Sequence, residues 1–295
     1  MKKLISAILF LLPVAALAAG GGTTHPNQKA NINYSDKASL QNGAKLYANY
    51  CQGCHSMQYV RYSRIAQDLD LTEEEAEQLI LGEGKLGDTM DKAMDPDLAK
   101  KWFGVNPLDL SLAARVRGND WLYNYLRAFY IDKSRPFDVN NTVFPGVGMP
   151  HILADLQGLQ VKSDELLAAE EVISMGKARM DELKAAIKDP ESSAEAVAKA
   201  EEGVALIEEE IHDAQLEIAR LSREGKMFTI VEEGEMTPEE YDHAVRDLVA
   251  FMAYTANPVK LKSKAIGLWV MLFLLILLVL AYFLKKEFWK DIKKK

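Results

Sequence analysis

Cysteine and histidine are scarce in this 295-residue chain, which contains two cysteines and five histidines. Two cysteines can form at most one disulfide, and a structural zinc site is disfavoured because no second cysteine pair is available. The chain also lacks an excess of positive charge. Its formal net charge of −8 argues against nucleic acid as a partner and suits a basic protein that docks on an acidic face.

Residues 1–19 have the organisation of a secretory signal peptide. Lys2 and Lys3 precede the apolar run 4–12, and the small residues 16–18 form a cleavage site. An uncleaved signal anchor is the alternative, but the apolar run is too short to span a membrane comfortably. We therefore expect the signal to be removed.

Residues 265–284 form an uncharged stretch that is long enough to cross a bilayer as a helix. Six lysines follow this stretch in the tail 285–295, whereas three precede it closely, namely Lys260, Lys262 and Lys264. Because lysine-rich flanks stay on the cytoplasmic side, the pattern predicts a single-pass protein with a cytoplasmic C-terminus. The bulk of the chain would then face the periplasm, on the bacterial inner membrane.

Both cysteines belong to one motif, Cys51-Gln52-Gly53-Cys54-His55. Two cysteines three residues apart could form a redox-active disulfide. The histidine that follows favours a haem instead, because the two sulfurs can bond to the haem vinyl groups while the imidazole reaches the iron. We expect one covalently attached haem c, held by Cys51 and Cys54, with His55 as an iron ligand.

Two helices are expected beside this motif. One is capped by Ser35-Asp36 and runs to Tyr50, and the other begins at Thr237-Pro238 and continues through Ala253. Gly43 lies inside the first helix, where glycine is costly unless another helix crosses there closely. The second helix is the expected partner at that crossing.

The second axial ligand decides whether the iron transfers electrons or binds small molecules. Met149 lies in the segment 144–150, where two prolines and two glycines predict a fixed loop rather than a helix. Met90, Met94 and His151 are rivals, and a methionine can also simply fill a core gap. The residues alone leave this choice open.

Four stretches resemble the cytochrome c1 family, the haem subunits of ubiquinol–cytochrome c reductases (cytochrome bc1 complexes). They agree in order and spacing: 51–62, 107–111 with 115–117, 144–150, and the region from 238 onward. The resemblance implies that Cys51 and Cys54 bind haem and that His55 and Met149 are its axial ligands. It also implies electron transfer from a Rieske iron-sulfur protein, working with cytochrome b, to a c-type cytochrome. The chain would then have no active site of its own.

Arg117 or Arg115 would pair with a haem propionate if the resemblance holds. An arginine fork suits an anionic group in a partly buried pocket. The plainer interpretation is that both arginines lie on a solvated face or that one pairs with Asp109.

The chain departs from the family between Gln157-Gly158 and Pro238, where it is longer than we expect. Apolar residues at heptad-like spacing predict an antiparallel helical hairpin with arms of some twenty-five to thirty residues. One arm carries Ile173, Gly176, Met180, Leu183 and Ile187, and the other carries Val197, Ala200, Val204, Ile207, Ile211, Ala214, Ile218 and Leu221. Residues 161–226 contain seventeen acidic and nine basic residues, and this excess of eight negative charges equals the formal net charge of the whole chain. It could be a docking arm for a soluble cytochrome or a neighbouring subunit, but a solvated hairpin is the favoured interpretation.

These observations predict a mainly α protein with a class I cytochrome c-like haem domain formed by residues 20–160 and 227–260. The hairpin 161–226 is inserted into this domain, and the membrane helix follows it. Two other functions remain open: a free-standing membrane-anchored electron shuttle, and a haem sensor or catalyst in which a small molecule displaces Met149.

Overall fold

The computed structural model describes residues 28–80, 82–190 and 192–292, and it is mainly helical. The predicted signal peptide and the last three residues of the predicted tail lie outside the described residues. The helices are α1 (Lys37–Leu46), α2 (Tyr62–Leu69), α3 (Glu73–Glu77), α4 (Pro96–Phe103), α5 (Ala113–Arg117), α6 (Asn119–Arg127), α7 (Ala154–Gln157), α8 (Asp164–Lys188), α9 (Ala194–Glu224), α10 (Pro238–Ala256) and α11 (Lys260–Ile292).

Helices α1 and α10 cross in the centre of the domain and form its core. The side chain of Asp36 caps α1 by accepting a hydrogen bond from the Ser39 amide, and Thr237 forms a capping box with Glu240 at the start of α10. The helices approach most closely at Gly43, where an added Cβ would lie 2.7 Å from the Cβ of Phe251. The predicted crossing at Gly43 is therefore confirmed.

Three short antiparallel ribbons surround this helical core. They pair β1 (Met57–Arg61) with β2 (Thr89–Met90), β3 (Phe129–Ile131) with β4 (Val139–Asn141), and β5 (Gly158–Lys162) with β6 (Phe228–Glu233). The third ribbon joins the domain to the helical hairpin, because its strands lead into α8 and out of α9.

The predicted hairpin is present, with arms of 25 and 31 residues in α8 and α9. The predicted seam residues are all buried or half-buried. At Gly176 an added Cβ would meet the side chain of Ile211 at 3.0 Å, so this glycine allows the two arms to pack closely. The heptad pattern therefore predicted the correct contact face.

Helix α11 contains the apolar stretch that was predicted to cross a membrane. Its segment Lys262–Lys290 is long and apolar enough for one membrane span, and none of its most apolar window is buried in the protein. The single C-terminal helix agrees with the predicted anchor at 265–284.

Candidate functional site

The Cys-x-x-Cys-His motif lies at the end of the α1 segment. A π-helical turn, Tyr47–Cys51, extends α1, and the amides of Cys54 and His55 both donate hydrogen bonds to the carbonyl of Cys51. Both thiols are free, with Cys51 buried and Cys54 half-buried. Burial raises the pKa of the Cys51 thiol to about 12, whereas redox-active cysteines have a lowered pKa. This environment argues against a thiol–disulfide catalyst.

The ring of His55 is held in a defined orientation. Its Nδ1 lies 2.8 Å from the carbonyl oxygen of Leu108, so the Nδ1–H tautomer donates a hydrogen bond there. Burial lowers the pKa of the ring, which favours neutral imidazole. The lone pair of Nε2 is then available to a metal, and a hydrogen bond from the other ring nitrogen is the usual support for a histidine ligand.

Two adjoining cavities of about 150 and 240 Å³ open beside His55. They share six lining residues: Cys51, His55, Leu108, Tyr125, Phe144 and Met149. Thiols, an imidazole and a thioether thus face a mainly apolar space, which is the chemistry that a covalently bound haem c requires. The residues present fit that cofactor.

Of the four candidates named above for the second axial ligand, Met149 is the one that lines the cavities. Its sulfur lies 3.4 Å from the hydroxyl of Tyr125, which donates a hydrogen bond to it. The rivals Met90, Met94 and His151 line neither cavity. Met252, which belongs to the predicted apolar face of α10, also lines the smaller cavity.

His151 has a different position from that of an iron ligand. Its ring stacks parallel to Phe129, with ring centroids 4.9 Å apart. Burial lowers its pKa to about 4, so the ring is neutral at physiological pH. This contact fixes the loop that carries Met149 against strand β3.

The two arginines that were candidates for pairing with a haem propionate differ in their position relative to the cavities. Arg117 lines the smaller cavity, and its guanidinium carbon lies 5.0 Å from the ring centroid of Trp121. Both arginines are exposed, but Arg115 lines neither cavity. The carboxylate of Asp109 accepts hydrogen bonds from the backbone amides of Gln58 and Ser111, so backbone groups satisfy it.

Sequence reasoning missed two aromatic residues of α6, Trp121 and Tyr125. Their rings stack at 4.9 Å, and both line the smaller cavity. The two residues are four positions apart, so they lie on the same face of the helix. This spacing, in a helix that follows Arg117, was the signal in the sequence that could have identified them.

A Cys-x-x-Cys-His motif beside an apolar cavity, on a domain that ends in one apolar helix, defines a membrane-anchored c-type cytochrome. Residues 27–292 match the Cytochrome C1 family, and the chain belongs to that family. Proteins of this family carry a covalently bound haem c and function in respiratory electron transport.

Two individual proteins are similar to this chain over nearly its whole length, and a third is similar over part of it. It is 43% identical to cytochrome c1 of Allochromatium vinosum over 295 residues, covering 99% of this chain and 100% of the relative. It is 34% identical to the ammonia monooxygenase gamma subunit of Nitrosomonas europaea over 293 residues, covering 99% and 100%. Cytochrome c1 2, heme protein, mitochondrial, of Arabidopsis thaliana is 28% identical over 146 residues, covering 41% and 47%.

Proposed function

We propose that this chain is the haem subunit of a quinol–cytochrome c reductase. It would assemble there with cytochrome b and a Rieske iron-sulfur protein. It would take single electrons from the Rieske protein and pass them to a c-type cytochrome. The observation that carries the proposal is the meeting of Cys51, His55 and Met149 at the same two cavities.

Each of these residues has a role that its chemistry supports. Cys51 and Cys54 would form the thioether bonds, His55 would offer Nε2 to the iron, and Met149 would offer its sulfur. The haem supplies one-electron transfer when it is bound. With His55 and Met149 both holding the iron, small molecules would be kept from it, and the thioether would raise the reduction potential.

Arg117 is the better of the two candidates for the propionate. Its guanidinium is positioned over the rings of Trp121 and Phe144 at the cavity, 5.0 and 5.9 Å from their centroids. Its guanidinium could therefore donate a charge-assisted hydrogen bond to an anionic group at the edge of the cavity. Arg115 lacks this environment.

Helix α11 would anchor the domain to the bacterial inner membrane, with the haem in the periplasm and the C-terminus in the cytoplasm. The larger number of lysines after the apolar segment supports this orientation. Anchoring keeps the haem close to a quinol-oxidising site in the membrane.

Purification from native membranes tests the proposed assembly. With an affinity tag after Lys295 and a mild detergent, we expect a multi-span b-type cytochrome and a Rieske protein to co-purify. Recovery of the haem protein alone, under conditions that keep other membrane complexes intact, would favour an anchored shuttle. Carbon monoxide binding to the reduced wild-type protein at neutral pH would instead indicate an open iron site and a sensor or catalyst.

A further inference from the structure

Tyr125 makes a directed polar contact with the proposed axial ligand. Its hydroxyl lies 3.4 Å from the sulfur of Met149, and the ring lines both cavities. The ring is held on two sides, because it stacks on Trp121 at 4.9 Å and meets Phe129 edge to face at 5.3 Å. The direction of the hydroxyl is therefore fixed by packing on rigid neighbours.

The loop that carries Met149 is fixed independently of this hydrogen bond. Val147 is buried against Phe129 and Val139, and His151 stacks on the same Phe129. The side-chain amide of Asn141 also donates a hydrogen bond to the backbone carbonyl of Tyr125, and this bond joins β4 to α6. Removing the Tyr125 hydroxyl alone would leave these contacts in place.

We propose that Tyr125 is a positioning residue that sets the reduction potential of the haem through Met149. This inference rests on the proposed function, in which Met149 is the sixth ligand. The chemical class of the interaction is a phenol donating to a coordinated thioether.

A thioether sulfur has two lone pairs, so one can bind the iron while the other accepts the phenol hydrogen. The hydrogen bond withdraws electron density from the sulfur and makes it a weaker donor. Oxidised iron needs this donation more than reduced iron does, so the hydrogen bond favours the reduced state. Loss of the hydroxyl should therefore lower the potential.

The test uses Tyr125→Phe in the full-length holoprotein. This variant keeps the ring and its stacking and removes only the donor. We expect the equilibrium constant for reduction to fall at least threefold in a redox titration, which is about 28 mV at about 59 mV per tenfold change. The visible absorption band that reports a methionine–iron bond should remain.

Tyr241→Phe is the matched control. The Tyr241 hydroxyl donates a buried hydrogen bond of 2.8 Å to the carbonyl of Leu126, and Tyr241 lines neither haem cavity. The control loses a comparable hydrogen bond, so it should lose stability without a shift in potential.

Equal potentials for Tyr125→Phe and Tyr241→Phe would overturn the proposal for Tyr125 while leaving Met149 as a ligand. Absence of the methionine–iron band in the wild-type protein would instead overturn the ligand assignment itself. If Tyr125→Phe does not retain haem, replacement of Tyr125 by 3-fluorotyrosine provides the second test. This residue is a stronger donor, and it should raise the potential; an unchanged potential would count against the proposal.

Discussion

Gly43 of α1 lies directly against Asp247 of α10, and a Cβ on Gly43 would overlap the carbonyl oxygen of Asp247. The Asp247 carboxylate also accepts hydrogen bonds from the side chains of Ser39 and Asn42. The close backbone contact and the two side-chain hydrogen bonds therefore fix the crossing of α1 and α10. That crossing places the Cys-x-x-Cys-His motif beside the part of α10 that lines the cavity.

Gly43→Ala should destabilise the protein, because the two helices must move apart to accept a methyl group. Overpacking of this kind typically costs about 1–3 kcal/mol. The free energy of unfolding, measured by denaturant titration of the holoprotein, checks this. Gly87→Ala is the control, since an added Cβ there meets nothing within 4 Å, and an equal loss in both variants would contradict the prediction.

Met149→Leu should open one axial position of the haem iron, because leucine has no donor atom. We expect the reduced variant to bind carbon monoxide and the reduction potential to fall. Met252→Leu is the matched control, as Met252 also lines the smaller cavity. If carbon monoxide bound to the Met252 variant and not to the Met149 variant, the ligand assignment would have to be exchanged.

Arg117→Gln should lower the reduction potential, since a positive charge near the haem favours the added electron. The expected effect is on the order of 1 kcal/mol, which is the interaction energy of two unit charges roughly 15 Å apart at an effective dielectric constant of about 20. Arg115→Gln removes the same charge from a residue that lines neither cavity, so it should shift the potential less. A redox titration of both variants decides between them, and a larger shift in Arg115→Gln would reverse the assignment.

Removal of residues 164–224 tests the role of the helical hairpin. Ser163 would then join Gly225, and the existing hydrogen bond from the Ser163 amide to the Met227 carbonyl would close a short turn. We expect an unchanged rate of electron delivery to a soluble c-type cytochrome, with an unchanged dependence on salt, because charged residues on exposed helices mainly provide solubility. A slower rate with a weaker salt dependence would identify the hairpin as a docking arm.

The parts of the fold with strong local signals were predictable from the sequence. Caps and proline marked the start of α10, and heptad spacing identified the hairpin and the residues at its seam. Two prolines and two glycines correctly marked the 144–150 segment as a loop. Each signal arises from residues that are close together in sequence.

The features that were missed depend on contacts between distant residues. Strands β5 and β6 pair across the whole hairpin, with Lys162 opposite Phe228, so their pairing depends on residues that lie far apart in the sequence. The approach of Tyr125 to Met149 and the position of Met252 at the cavity likewise follow from the packing of α6 and α10. Sequence periodicity alone cannot place such side chains.

Only three residues, Asn257 to Val259, separate the end of α10 from the start of α11. Even fully extended, they would span roughly 10 Å. Since α10 belongs to the core and lines the cavity, the haem-bearing domain would have a very short tether once α11 lies in a bilayer, as proposed. A redox partner would then have to approach it within a thin layer at the membrane surface, and any long-range movement would have to be made by the partner.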